Sequence, residues 1–212
     1  MDAALAGAAP TRLATAAALI VMQQIALLGT SADPPTCGHQ ALLEGLLGLY
    51  GEVATWASDN PMKQHGAPLR LRAQLLQALV NEIGDPRLRL CQELSSPFAL
   101  ATLERAHTLW PGRDLIFVVG SDLAGQIPRW RQAERWLRLC RLAIAPRQGW
   151  PLQPAALDAL RSLGAQMDLL DLTVPASASS ELRQAPEPGQ VPTSVWPLLL
   201  EHTLYGLTPS RC

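Results

Sequence analysis

The chain has 212 residues, with 17 Lys and Arg against 18 Asp and Glu, a net charge of -1 and an isoelectric point near 6.4. That balance excludes the basic footprint of a nucleic-acid binder and the acidic excess of a solvating tail. Hydrophobic residues make up 48% and charged ones 17%, which excludes a disordered chain and fits one sizeable folded domain with small additions.

The first 24 residues read as an extension. Their apolar run, Ala16 to Met22, lies behind the single Arg12 and loosely mimics a signal peptide, but it is too short to span a bilayer. It is expected to be flexible or weakly helical, with residues 25–205 forming the domain and 206–212 a tail. From residue 25, short apolar runs alternate with longer helical stretches. IALLG (25–29) predicts a buried strand, and GHQALLEGLLGLYG a helix with Leu42, Leu43, Leu46, Leu47 and Tyr50 on one side. GEVATWA predicts the next strand. After the loop SDNPMKQHGAP, LRLRAQLLQALVNEIG places Leu71, Leu75, Leu76, Leu79 and Ile83 at helical spacing, with Gly84 as a stop.

RLRLCQEL reads as a third strand, PFALATLERAHTLW as a helix, and DLIFVVGSD as the strongest strand, five apolar residues ended by Gly-Ser-Asp. WRQAERWLRL predicts a helix, CRLAIAPR a strand carrying Leu142 and Ile144, QPAALDALRSLG a helix and QMDLLDL a last strand. PASASSELRQAPEPGQVPTS predicts a surface loop around a short helical turn, and TSVWPLLLEHTLYG a helix interrupted by proline. Alternating strands and helices predict an α/β fold of parallel βαβ units, a Rossmann-like doubly wound sheet with helices on both faces. Near-continuous apolar strands such as LIFVV agree, because a parallel strand is covered on both sides.

Cys37, Cys91, Cys140 and Cys212 are widely separated and form no CxxC pair, which argues against a zinc or redox site. They are expected to be lone thiols of a cytoplasmic chain, Cys37 as a small buried filler. His65, His107 and His202 show no ligand spacing and are expected to be surface or satisfied histidines.

In a doubly wound sheet ligands collect at the carboxyl ends of the strands. That rule selects GTSADPPTCGH after the first strand, SDNPMK after the second, GSD after the fourth and PRQG after the fifth. Gly29 and Thr30 allow a tight exit where backbone amides approach an anion. Gly38 and His39 then open a helix whose N-terminus suits phosphate. A strand–helix turn capped by Thr36, with an incidental histidine, accounts equally well for the spacing alone. Neither a Walker loop nor a GxGxxG fingerprint is present.

GTSADPPTCGH resembles the G-x-F-D-P-P-H-x-G-H signature of the nucleotidyltransferase superfamily, in its nicotinate-mononucleotide adenylyltransferase branch. Further likenesses follow in order. SDNPMK resembles the N-P-x-K loop, SPFALATL the P-S-Y-T-x-x-T-L segment, and VVGSDLAGQIPRW the I-I-G-x-D motif with its later Trp. LAIAPRQGWP resembles V-x-x-R-x-G-x-P, and SASSELR resembles I-S-S-T-x-I-R. The resemblance spans roughly residues 25 to 205 and implies the nucleotidylyl transferase fold. It also implies transfer of AMP from ATP to nicotinate mononucleotide, with Mg²⁺ carried on the triphosphate.

Carried over position by position, the resemblance makes His39, Lys63 and Arg183 catalytic. It makes Gly29, Thr30, Ser31, Thr36, Gly38, Gly120, Asp122, Arg147 and Ser180 nucleotide-binding, and Trp130, Phe98 and Thr102 acceptor-binding; no residue is assigned to a metal. Trp130 would stack on the pyridine ring, Asp122 would accept from ribose hydroxyls or cap a helix, and Trp110 and Trp136 would pack the core. The chain departs from the pattern at Thr36, where the branch has histidine, at Phe98-Ala99 in place of Tyr-Thr, and at Ala178 in place of serine. Another phosphate acceptor such as nicotinamide mononucleotide, a catalytically weak nucleotide-binding relative and an interaction module on the same fold are the competing readings. No nucleic acid or membrane partner is expected, and the oligomeric state stays open, a homo-oligomer included.

Overall fold

The computed structural model describes residues 21–60, 63–175 and 179–208. The expected extension lies almost wholly outside them, as do Ala178 and Cys212. Six strands form one parallel sheet: β1 (Gln24–Thr30), β2 (Glu52–Ala57), β3 (Leu88–Leu90), β4 (Asp114–Gly120), β5 (Arg141–Ala145) and β6 (Gln166–Leu169). Their order is β3-β2-β1-β4-β5-β6. The chain therefore builds outward from β1 in one direction, returns to the centre, and builds outward from β4 in the other.

The helices are α1 (Cys37–Leu49), α2 (Leu69–Ile83), α3 (Ala99–Leu109), α4 (Ser121–Ala124), α5 (Ala133–Trp136), α6 (Pro154–Ser162), α7 (Ser179–Gln184) and α8 (Trp196–Glu201). Successive side chains of a strand point to opposite faces, so each inner strand feeds two cores. Ala26, Leu28, Val53, Ile116, Val118 and Ala143 pack with Leu43 and Leu46 of α1 and Leu75, Leu76 and Leu79 of α2. Ile25, Leu27, Trp56, Phe117, Val119, Leu142 and Ile144 pack with Leu103 of α3, Trp136 of α5 and Leu160 of α6. This double burial explains why β4 is apolar without alternation. Gly84 ends α2 at φ 66, its N–H donating to the Val80 carbonyl, as its place after the apolar stripe predicts.

Four stretches differ from expectation, each for a local reason. The helix expected over 130–139 is cut to α5, because Pro128 sits in a 3-10 turn over Ile127–Arg129 and Gln132 adopts φ 56. The strand expected from RLRLCQEL ends at Leu90, and Gln92–Leu94 turns as a 3-10 helix whose Gln92 side chain bonds both the N–H and the carbonyl of Ala57. Pro197 stands in the first turn of α8, where a missing N–H is harmless, so it starts that helix and does not interrupt it. The Pro/Ser-rich stretch is more than a surface loop, since Leu182 and Val191 bury within the first core.

Candidate functional site

The order in which strands are added reverses between β1 and β4, and the exits of β1, β2, β4 and β5 lie along the same edge of the parallel sheet at that crevice. β1 leads through residues 31–36 into α1, whose N-cap is Thr36. Thr36 and His39 form a reciprocal capping box, with the imidazole at the third helical position. The Thr36 backbone N–H donates to His39 Nδ1 at 3.0 Å, and the Thr36 hydroxyl lies 2.9 Å from the same nitrogen. A backbone N–H can only donate, so Nδ1 is the bare nitrogen and Nε2 carries the proton. Thr36 itself is fully buried and acts on this imidazole.

His39 is half-buried. Burial pulls its pKa down to about 4, and the positive charges of Arg147 and Lys63 add to that effect. The imidazole is therefore neutral at pH 7 and lies in the field of two cations from two other strand exits. Lys63 is exposed on the loop after β2. Arg147, after β5, donates to Asp122 after β4 at 2.8 Å. Gly120, which is the N-cap of α4, leaves room for Asp122: a Cβ there would strike the Asp122 carboxylate. The Asp122 carboxylate is thus held by an arginine and caps no helix. Ser121 fastens the next turn, its hydroxyl accepting from the Arg147 N–H at 3.0 Å and donating to the Trp150 carbonyl at 2.7 Å.

At the β1 exit lies a buried knot that the sequence patterns did not single out. Asp33, 1% exposed, accepts from the backbone N–H groups of Gly66 (2.7 Å) and Ala67 (3.1 Å) and from the Tyr205 hydroxyl (2.7 Å). Arg183 donates to the Asp33 carbonyl at 2.9 Å and stands 3.6 Å from its carboxylate. The Ser179 hydroxyl donates to the Pro34 carbonyl at 2.9 Å. These bonds dock α7 and the C-terminal turn onto the β1 exit. Burial and the Asp33 carboxylate push the Tyr205 phenol well above its ordinary pKa, so it remains a donor. Arg72, 1% exposed, donates to the carbonyls of Ser31 (2.8 Å), Ser58 (2.8 Å) and Ala67 (3.1 Å). Two loops that carry candidate residues hang from that one guanidinium. Its signal was legible: Arg72 falls on the same helix face as Leu75, Leu76 and Leu79.

Several sequence assignments are relocated. Packing requires glycine at position 29, since a Cβ there would meet the Trp56 indole at 2.6 Å. The Thr102 hydroxyl is 2% exposed and donates to the Leu94 carbonyl, so it braces the turn that carries Phe98. Thr30 and Ser31 are half-buried at the β1 exit, Gly38 is buried at the second position of α1, and Ser180 is exposed in the first turn of α7. Trp130 is half-buried and tilts 34° against Trp136 at 5.9 Å, while Phe98 is 42% exposed beneath the Arg131 guanidinium at 4.9 Å. Trp136 is a core residue as expected, and Trp110 packs half-buried against the same core beneath Arg89.

Cys37 is half-buried in the first turn of α1, and burial raises its thiol pKa. His65 and His202 each bury an Nε2 that has no hydrogen-bond partner among the described residues, and His107 bonds the Leu139 carbonyl. The described residues hold no cluster of three or more His, Cys, Asp or Glu able to bind a metal, and no helix long and apolar enough to cross a membrane.

Comparison with known proteins identifies the family. The cytidylyltransferase-like family profile matches residues 27–185. A Synechocystis protein named a probable nicotinate-nucleotide adenylyltransferase is 35% identical over 197 residues, covering 86% of this chain and 98% of its own length. A Thermus thermophilus protein with the same name is 29% identical over 196 residues, covering 86% and 99%. The fold resembles that of a Plasmodium falciparum nicotinic acid mononucleotide adenylyltransferase solved with NaAD, with a TM-score of 0.70 at 18% identity over 87% of this chain and 98% of that one. From the capping-box histidine at the switch point to the family match across nearly the whole sheet, this chain belongs to the cytidylyltransferase-like family, in its nicotinate-nucleotide adenylyltransferase branch.

Proposed function

We propose that this chain transfers the AMP moiety of ATP to the phosphate of nicotinate mononucleotide, giving nicotinate adenine dinucleotide and pyrophosphate. An oxygen of the acceptor phosphate attacks the α-phosphorus of ATP, the bond from that phosphorus to the bridging oxygen breaks, and pyrophosphate leaves with the electron pair. The observation that carries the reading is the neutral His39, its Nε2–H without a hydrogen-bond partner among the described residues, in the field of Arg147 and Lys63 at the head of α1. Such a reaction needs little covalent help. It needs two anionic phosphates aligned and their charge neutralised in a site that holds its donors in place.

In this reading the His39 Nε2–H bonds a non-bridging oxygen of the α-phosphoryl group and strengthens that bond as charge develops. The first amides of α1, with Gly38 among them, face the same anion. Lys63, Arg147 and Arg183 surround the phosphates, and Ser180 offers a hydroxyl from the first turn of α7. Thr30 and Ser31 shape the β1 exit, while Gly120 and Asp122 line the ribose side. Trp130 and Phe98 offer apolar faces to the pyridine ring. Thr36 supplies no cation here; its role is to hold the imidazole in the tautomer that donates. ATP enters as its magnesium complex, the ion ligated by phosphate oxygens and water. The donor set fits this, since the cations converge here and the nearby Asp122 is taken up by Arg147.

Pyrophosphate release from purified protein and magnesium ATP, measured over a panel of phosphate acceptors, tests the reading. Nicotinate mononucleotide is expected to turn over fastest, ahead of nicotinamide mononucleotide. Turnover with a different acceptor and none with nicotinate mononucleotide would sink it.

A further inference from the structure

Trp150 fills a variable position in the motif after β5 and was given no role there, yet the structure gives it an unusual position. It closes the four-residue turn after β5, its N–H donating to the Arg147 carbonyl at 3.0 Å, with Gly149 at φ 82 supplying the left-handed residue such a turn needs. The turn is clamped to the β4 exit, because the Ser121 hydroxyl holds the Trp150 carbonyl at 2.7 Å and the Arg147 N–H at 3.0 Å. Ser121 itself is 8% exposed, so this clamp is built into the fold. The indole on the clamped backbone is 55% exposed. It belongs to neither core cluster, and no aromatic ring among the described residues pairs with it. Trp56 and Trp136, by contrast, are 3% and 0% exposed.

A rigid turn that ends in an uncovered indole is a prepared apolar surface. Its neighbours indicate what would cover it. Arg147 leaves the same turn, bonds Asp122 and acts electrostatically on His39. Phosphate donors, a ribose-facing carboxylate and a flat aromatic therefore follow one another across the exits of β1, β4 and β5. This is the order of phosphate, sugar and base in a nucleotide.

We propose that Trp150 is the stacking surface for the base of the nucleoside triphosphate. The inference rests on the nucleotide site proposed above and adds the residue that reads the base. Every base has a π face, so the stack strengthens binding of the purine and does not itself select one base by hydrogen bonds.

The test uses the full chain as Trp150→Ala and Trp150→Phe. Truncation of a base-stacking aromatic lowers affinity by about 5- to 150-fold. Trp150→Ala is expected to raise KM for ATP within that range, with Trp150→Phe lying closer to the parent. The rise should fall on KM for ATP rather than on KM for the acceptor. Inorganic tripolyphosphate, which has no base, should inhibit the parent and Trp150→Ala equally. ATP should quench the parent's tryptophan fluorescence more than that of Trp150→Ala. This titration needs no acceptor, so it stands even where the acceptor assignment fails. The proposal is overturned if KM for ATP is unchanged, if KM for the acceptor rises in its place, or if tripolyphosphate inhibition weakens in step with ATP binding. The last result would mean that the substitution collapses the turn and its Arg147.

Discussion

Replacing Asp33 by Asn removes one negative charge from the knot beneath the site while keeping the shape of the side chain. The carboxylate is 1% exposed and accepts three hydrogen bonds, from Gly66, Ala67 and Tyr205, with Arg183 and His65 both 3.6 Å away. Bonds to a charged group contribute about 1.5 to 3 kcal/mol each, and they are not additive. An amide keeps one acceptor oxygen but turns an NH₂ toward a backbone donor, and it leaves Arg183 without its counter-charge. The expected loss is about 3 kcal/mol, a large share of the 5 to 15 kcal/mol by which a domain is typically stable. At roughly 2 to 4 °C per kcal/mol for a chain of this size, Tm should fall by about 6 to 12 °C. Urea and thermal unfolding of Asp33→Asn, Tyr205→Phe and the double variant measure this directly. The two substitutions should couple, the double costing less than the sum, because both remove the same 2.7 Å bond. A loss under about 1 kcal/mol for Asp33→Asn, or strict additivity with Tyr205→Phe, would refute the claim that this carboxylate ties the C-terminal turn to the β1 exit.

The pH dependence of stability reports on His39. Its folded pKa of about 4 lies below the ordinary 6.5, so the unfolded chain takes up the proton first. The parent should lose stability relative to His39→Gln as pH falls from about 6.5 to 4, by about 3 kcal/mol across that window, with the difference between them constant above it. A flat difference between the two unfolding profiles would contradict the neutral, half-buried imidazole. Arg72→Leu leaves three loop carbonyls without their donor and is expected to cost about 3 to 5 kcal/mol, with Arg72→Lys intermediate because one ammonium cannot span all three. Tm values near the parent's for both variants would show that the loops do not depend on this guanidinium.

Much of the architecture was legible because it is periodic. The apolar stripe of α2 and its Gly84 stop follow from 3.6-residue spacing and the left-handed freedom of glycine. The uninterrupted apolar run of β4 follows from cover on both faces. Elements set by local conflicts were harder to read. The stretch 130–139 has a helical composition, but Gln132 in the left-handed region leaves only one turn of it. Pro197 reads as a breaker until its place in the first turn of α8 is known.

The candidate site divides along the same line. The glycines, His39 and Lys63 each sit in a short local motif at a strand exit, and the order of those motifs, through its resemblance to a known family, assigned them to one chemistry. What lies far apart along the chain was decided by tertiary structure. Asp33 meets Tyr205, 172 positions later, and Ser121 meets Trp150 across two strand exits. Thr36 at the place of a histidine reads in sequence as a lost charge, and the folded chain shows what stands there. Its N–H and hydroxyl both meet His39 Nδ1, while the cations that act on the imidazole come from the exits of β2 and β5. The sequence by itself determined the fold class, because patterning is a local property of a chain, and its ordered motifs pointed to the chemistry through their resemblance to a known family. Which side chains hold that chemistry in place was decided only by the tertiary structure, because hydrogen bonds and burial depend on distances that the fold alone sets.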